Sequence, residues 1–146
     1  MDPARELVDD GMCFVCGPRN QNGLRLEFEL RADEVVAEFV PAVHHQGYRG
    51  IVHGGIISTL LDEAMAHVMV RRGRPALTAK IEVKFLQAAS IGEKLVISAR
   101  LRHERSRTAE LEASATTQQG AQVATARGTW IRVEPPPATT SPAAPA

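Results

Sequence analysis

The chain is expected to be an α+β protein, a curved antiparallel sheet of about six strands wrapped around one long central helix. Three observations carry this reading. A single stretch, beginning after His53-Gly54-Gly55, repeats apolar residues at helical spacing, with Ile57, Leu60, Leu61, Ala64 and Val68 on one face. Elsewhere, apolar residues alternate with polar ones at the period of a strand. And 146 residues, 44% of them hydrophobic, suffice for one domain with a real core but not for two ordinary ones.

Residues 11–23 are turn-formers around Cys13 and Cys16. They lead into Leu24, Leu26, Phe28 and Leu30, which alternate with Arg25, Glu27 and Glu29 as a strand with one buried face. Residues 31–33 allow a reversal, and residues 36–40 form a second strand that Pro41 stops. A loop with His44, His45 and Gln46 brings the chain to the helix, which must start at or just after the glycines. It ends where Arg71, Arg72, Gly73, Arg74 and Pro75 supply basic residues, a capping glycine and a breaker.

Period two then returns. Leu77, Ala79, Ile81, Val83 and Phe85 alternate with Thr78, Lys80, Glu82 and Lys84 in the clearest strand of the chain. Leu95, Ile97, Ala99 and Leu101 mark the next, and Ala109, Leu111, Ala113 and Ala115 the one after. Past Gly120, residues 123–133 form the last strand, with Gly128 as a bulge or close-approach site and Trp130 as the largest apolar group. One helix covers one face of such a sheet and two edges stay open, so self-association is expected. The domain therefore spans residues 24–133, after a segment 1–23 that holds the cysteine pair. Residues 134–146, EPPPATTSPAAPA, have the composition of a disordered tail.

Composition excludes several functions. The 17 basic side chains balance the 17 acidic ones, so no global field draws in nucleic acid or an anionic membrane. Aromatics are 4% and form no run of stacking platforms, which argues against single-strand binding. The opening MDPARELVDD lacks the apolar run of a secretory signal and no stretch approaches bilayer length, so a cytoplasmic location is the default expectation. Cys13-x-x-Cys16 has the spacing of half a zinc knuckle or of a redox pair, which His44 and His45 would have to complete. Without a second cysteine pair, free buried thiols and no metal are expected.

The chemistry concentrates at the helix. The glycines leave its first backbone N–H groups uncovered, and these donors, backed by the helix dipole, can receive an anion or a carbonyl oxygen becoming one. Asp62 follows His53 by nine residues. At about 100° per residue it lies near 140° from Ile57, off the core stripe, with Ser58, Met65 and Met69 as flank neighbours. Glu63 points near 240°, on the opposite flank. Taken alone, Asp62-Glu63 reads as a solvated pair on an exposed face; the glycine entry argues for a working acid. His53 is either a base or, the favoured reading, a group that orients backbone through a hydrogen bond. Arg71, Arg72 and Arg74 complement the helix C-terminus.

The run Gly50-Ile-Val-His53-Gly54-Gly55 followed by Asp62, with Cys13-x-x-Cys16-Gly17 and Asn20-x-x-Gly23-Leu24 ahead of it, resembles the hotdog-fold acyl-CoA thioesterases of the phenylacetyl-CoA thioesterase (PaaI) type, over residues 13–133. The resemblance implies Asp62 as base or nucleophile and the Gly55 backbone N–H as oxyanion donor. It puts Gln46 where several relatives carry an upstream Asn, and Thr78 where a hydroxyl orients the attacking water. Gly54, Ser58 and Met65 would then contact substrate, and Arg105 and Arg107, in a turn between strands, would meet the coenzyme A phosphates. It also implies a dimer or dimer of dimers sharing its sites, with an acyl-CoA substrate and no cofactor. Two rivals from other classes remain. A hotdog hydratase or dehydratase would usually show a His-Phe-Pro type motif, absent here. A non-catalytic acyl-CoA sensor would carry a DNA-binding segment, for which the residues before Leu24 are too few.

Overall fold

The computed structural model describes residues 6–133. The proline-rich stretch 134–146, expected from composition to be a disordered tail, lies outside the described residues, as do residues 1–5. Strands β1 (Glu29–Arg31) and β2 (Glu34–Phe39) precede helix α1 (Gly54–Arg71). Strands β3 (Ala76–Phe85), β4 (Leu95–Glu104), β5 (Thr108–Thr117) and β6 (Gln122–Arg132) follow it. All six form one sheet in the order β1-β2-β4-β5-β6-β3, antiparallel throughout.

Alternation decides which side chains meet the helix. Val35, Ala37 and Phe39 of β2, Leu95, Ile97 and Ala99 of β4, Leu111 of β5 and Trp130 of β6 all bury inward. The inner positions of β5 and β6 are otherwise small: Ala109, Ala113, Ala115, Ala124, Ala126 and Gly128. Small residues there make room for the helix to lie close on the sheet. Gly128 is the close-approach site its sequence context suggests, for an added Cβ would fall 2.2 Å from Cζ3 of Trp130. The helix ends as its sequence indicates, with His53 as N-cap and Gly73 in the left-handed region at φ +67°.

Two strands differ from expectation. The first is only three residues long, because Arg25 takes a left-handed φ of +54° and breaks the extended run. Leu26 and Phe28 are buried as the alternation requires, but the N–H groups of Leu24 and Leu26 bond to the carbonyls of Phe14 and Val15 in the cysteine loop, and Leu30 is 56% exposed. The second is β3, the clearest strand in the sequence, none of whose residues is fully buried. It is an edge strand, paired among the described residues with β6 alone, and Phe85 at its end is 56% exposed. Its register shifts between Thr78 and Lys80, where Ala79 is an extra residue, a β-bulge. Among the described residues no helix is long and apolar enough to cross a membrane.

Candidate active site

At the helix entry His53 stands in extended backbone and its Nδ1 accepts the Gly55 N–H at 2.8 Å. This is the N-cap arrangement, in which the capping side chain serves the second or third helical N–H. Glycine at 55 suits it, since a Cβ there would come within 2.9 Å of that nitrogen. The assignment of Gly55 as free oxyanion donor is therefore corrected: its N–H is already engaged. The Ile56 and Ile57 N–H groups bond to the His53 carbonyl. Gly54, the first helical residue, has no such partner among the described residues, so its N–H is the open donor. Gly54 lines an apolar cleft of about 340 Å³ together with Ile51, Val52, Ile57, Phe85, Leu86 and Val123, among others.

Asp62 sits two turns further on, at the rim of the buried stripe. The buried residues Ile57, Leu60, Leu61, Ala64, Met65, Val68 and Met69 cover about 180° of the helix, and Asp62 lies just beyond that arc. Its Oδ1 accepts the hydroxyl of Thr78 at 2.8 Å. Sequence alternation puts Thr78 on the face opposite Ile81 and Val83. The bulge at Ala79 rephases the strand, so that Thr78 pairs with the inward-facing Trp130 and turns toward the helix. Partial burial pushes the Asp62 carboxyl above its ordinary value; the Thr78 hydrogen bond opposes this and the neighbouring Glu63 adds to it.

Glu63 is committed elsewhere. Its Oε1 lies 3.3 Å from His67 Nε2 and accepts from Cys13 Sγ at 3.3 Å, on the opposite flank from Asp62. Burial works to raise its carboxyl, but hydrogen bonds from His67, Cys16 and Cys13 outweigh burial and hold it low. Both thiols are free and half-buried.

Several expected site residues are elsewhere. Met65 is fully buried, a core residue and not a wall of the site, because the sheet wraps far enough to cover that flank. Gln46 does not face Asp62: its Oε1 accepts the Gly50 N–H at 3.1 Å and closes the loop before the helix. Ser58 donates its hydroxyl to the Gly54 carbonyl at 3.0 Å, one turn from the open N–H. Arg105 and Arg107 are exposed in the β4–β5 turn, beside β6 and the Ala76 end of β3, remote from Gly54 within one chain. His44 and His45 stay away from the cysteines; His45 Nδ1 accepts the Ala42 N–H at 2.9 Å. A further depression of about 600 Å³ is on the outer sheet face among Glu34, Arg100, Glu112 and Arg127, away from this chemistry.

Comparison with known proteins bears on this arrangement. Residues 49–124 match the family model described as Thioesterase superfamily. Acyl-coenzyme A thioesterase 13 of Mus musculus is 30% identical over 71 residues, 47% of this chain and 51% of that protein, so the match spans about half of that relative. Among solved structures, the E. coli PaaI protein from the phenylacetic acid degradation operon superposes with a TM-score of 0.72 at 23% identity, covering 77% of this chain and 83% of that one. A hypothetical thioesterase protein of Streptococcus pneumoniae, solved with coenzyme A, gives 0.71 at 25% identity, covering 76% and 88%. It has also been solved with an aspartate and with a threonine changed to alanine, sixteen residues apart. That is the separation of Asp62 and Thr78.

Proposed function

The chain belongs to the thioesterase superfamily, and on that premise we propose that it is an acyl-CoA thioesterase, hydrolysing an acyl-CoA thioester with Asp62 as the working carboxylate. One observation carries the residue assignment: a half-buried carboxylate of raised pKa, tied to a threonine hydroxyl, on a helix whose first N–H is unoccupied. The name of the mouse relative, the coenzyme A in the pneumococcal structure and that protein's aspartate and threonine variants support it.

The geometry further favours a site made by two chains. Gly54 and Asp62 are eight residues apart on one helix, about 12 Å along its axis. A thioester carbon in contact with the carboxylate, or with a water on it, holds its oxygen only a few ångströms away, too near to reach the Gly54 N–H of the same chain. Oxyanion donor and carboxylate for one substrate therefore come from different subunits. The open β3 edge offers the means, since antiparallel pairing of two such edges continues the sheet and brings two helices side by side. In that dimer the apolar cleft at Gly54 takes the acyl or pantetheine portion. Arg105 and Arg107 of the other chain are free to meet the phosphates.

Asp62 either draws a proton from water, whose oxygen adds to the thioester carbon, or adds to that carbon itself. The carbonyl oxygen becomes an oxyanion received by the Gly54 N–H and the helix dipole. Collapse expels the coenzyme A thiolate. In the first route the proton held by Asp62 passes to sulfur; in the second, water hydrolyses the acyl-carboxylate anhydride. Thr78 fixes Oδ1 and leaves the other carboxylate oxygen for this work.

The test is release of free thiol from an acyl-CoA panel. The wild type should turn over at least one member of the panel, and Asp62→Asn should lose at least about 10²-fold in kcat with little change in KM. A protein that binds acyl-CoA without releasing thiol is a sensor, and the proposal fails.

A further inference from the structure

The second flank of the helix carries a cluster that hydrolysis does not use. Cys13 Sγ, Cys16 Sγ and a Glu63 oxygen all lie within 4.8 Å of one another. His67, one turn along the helix, brings Nε2 to 3.3 Å from the same Glu63 oxygen that is 3.3 Å from Cys13 Sγ. The imidazole is held from behind by Phe28, stacked at 4.3 Å. The loop is fixed as firmly. Gly17 donates its N–H to the Cys13 carbonyl, and any Cβ at 17 would sit 2.4 Å from the Cys13 nitrogen. Phe14 and Val15 accept backbone N–H groups from Leu24 and Leu26, and the Val15 N–H points at Cys13 Sγ at 3.4 Å. Two sulfurs and a carboxylate thus converge from segments fifty residues apart, with the imidazole touching the carboxylate but outside the 4.8 Å group, and with no Lys or Arg paired to Glu63 among the described residues.

We infer that Cys13, Cys16, Glu63 and His67 form a binding site for a zinc-class divalent cation. The donor set is two soft sulfurs, one imidazole nitrogen and one carboxylate oxygen, the mixture that selects zinc over magnesium or calcium. With bonds of about 2.3 Å to sulfur and about 2.0–2.1 Å to nitrogen and oxygen, tetrahedral neighbours stand roughly 3.3–3.8 Å apart. The two 3.3 Å separations already match that edge. Binding releases the two thiol protons to solvent, and the cation replaces them as the positive charge of the cluster. Three donors are already gathered, and once the His67 ring swings from the Glu63 oxygen toward the sulfurs, four protein donors leave no open position and the ion is structural. It pins the 11–23 loop to the helix at the residue next to Asp62.

The direct test uses the full chain, reduced and stripped with a chelator, then titrated anaerobically with Co²⁺. One equivalent should produce visible d–d bands and near-ultraviolet thiolate-to-cobalt absorption, both abolished by Zn²⁺. Protein expressed with zinc should retain one zinc per chain. Cys13→Ser with Cys16→Ser should remove the thiolate absorption. Glu63→Gln and His67→Gln should each weaken Co²⁺ binding by at least about tenfold. Folded, reduced wild-type protein that gives no cobalt bands overturns the site, and this measurement depends on no variant. Isolation with Cys13 and Cys16 as a disulfide that Zn²⁺ cannot replace after reduction also overturns it, as does unchanged affinity in both Glu63→Gln and His67→Gln.

Discussion

Replacing Gly54 by proline isolates the shared-site argument, because it removes one N–H and little else. Gly54 is the first residue of the helix, where proline is well accommodated since that N–H has no helical partner. His53 before it sits at φ −60°, ψ 132°, the extended conformation that a following proline requires. A Cβ added at 54 meets only ring carbons of Phe85, at 3.4 Å, an ordinary contact. Gly54→Pro should therefore fold normally yet lose about 10²–10³ in kcat, the range for deleting one oxyanion donor. Asp62→Asn should be comparably inactive. Refolded together in equal amounts, the two variants form heterodimers in half of the dimers under random assembly. Each heterodimer has one intact site, made of Asp62 from the Gly54→Pro chain and Gly54 from the Asp62→Asn chain. That restores one site in four, so thiol release should recover to about a quarter of the wild-type rate per chain. If mass spectrometry shows heterodimers and the mixture is no faster than its parents, each site lies within a single chain and the 12 Å argument is wrong.

The remaining expectations follow from the same geometry. Since the ionised form of Asp62 acts and burial raises its pKa, activity is lost as pH falls through that raised value, so the acid limb of kcat/KM should lie above the ordinary carboxylate range. Thr78→Val deletes the opposing hydrogen bond and should move the limb further up; a downward move contradicts the assignment. A folded-state pKa above the unfolded one means that ionisation costs stability as pH rises, so Asp62→Asn should melt no lower than wild type at neutral pH. Gly128→Ala drives a methyl into the Trp130 ring and toward the Lys80 carbonyl and should destabilise by about 1–3 kcal/mol, read from the urea midpoint. Sedimentation at micromolar concentration should find no folded monomer; an active monomer would rule out pairing through β3.

The parts of this fold legible in the sequence are those set by local chemistry. His53-Gly54-Gly55 and Gly73-x-Pro75 mark both helix ends because caps and breakers act within a turn, and five of the six strands follow from alternation. Arg25 hides a left-handed kink that no residue type announces. The sequence shows that residues 77–85 alternate but not that they form an edge, since edges are decided by which strands find partners. In the site, the helical wheel separates Asp62 from Glu63 but misplaces Met65, whose burial depends on how far the sheet wraps. Gly54 was available as the open donor: once His53 is the N-cap, its side chain takes a later N–H and leaves the first. Glu63 and His67 carry a signal too, an i,i+4 pair on one flank, but their meeting with Cys13 and Cys16 spans fifty residues and needs the fold.

The extra residue at Ala79 alters what surface engineering of this strand can do. Anyone redesigning β3 for solubility by its hydrophobic pattern would keep Leu77 as core and treat Thr78 as a free outward position. The shift reverses that reading. Leu77 pairs with Ile131, itself 39% exposed, and points outward. Leu77→Lys should therefore cost little beyond its local contacts. Thr78→Lys, harmless by the pattern, would set an ammonium against the Asp62 carboxylate, lower its pKa and lock it in an ion pair, giving a well-behaved protein that no longer turns over.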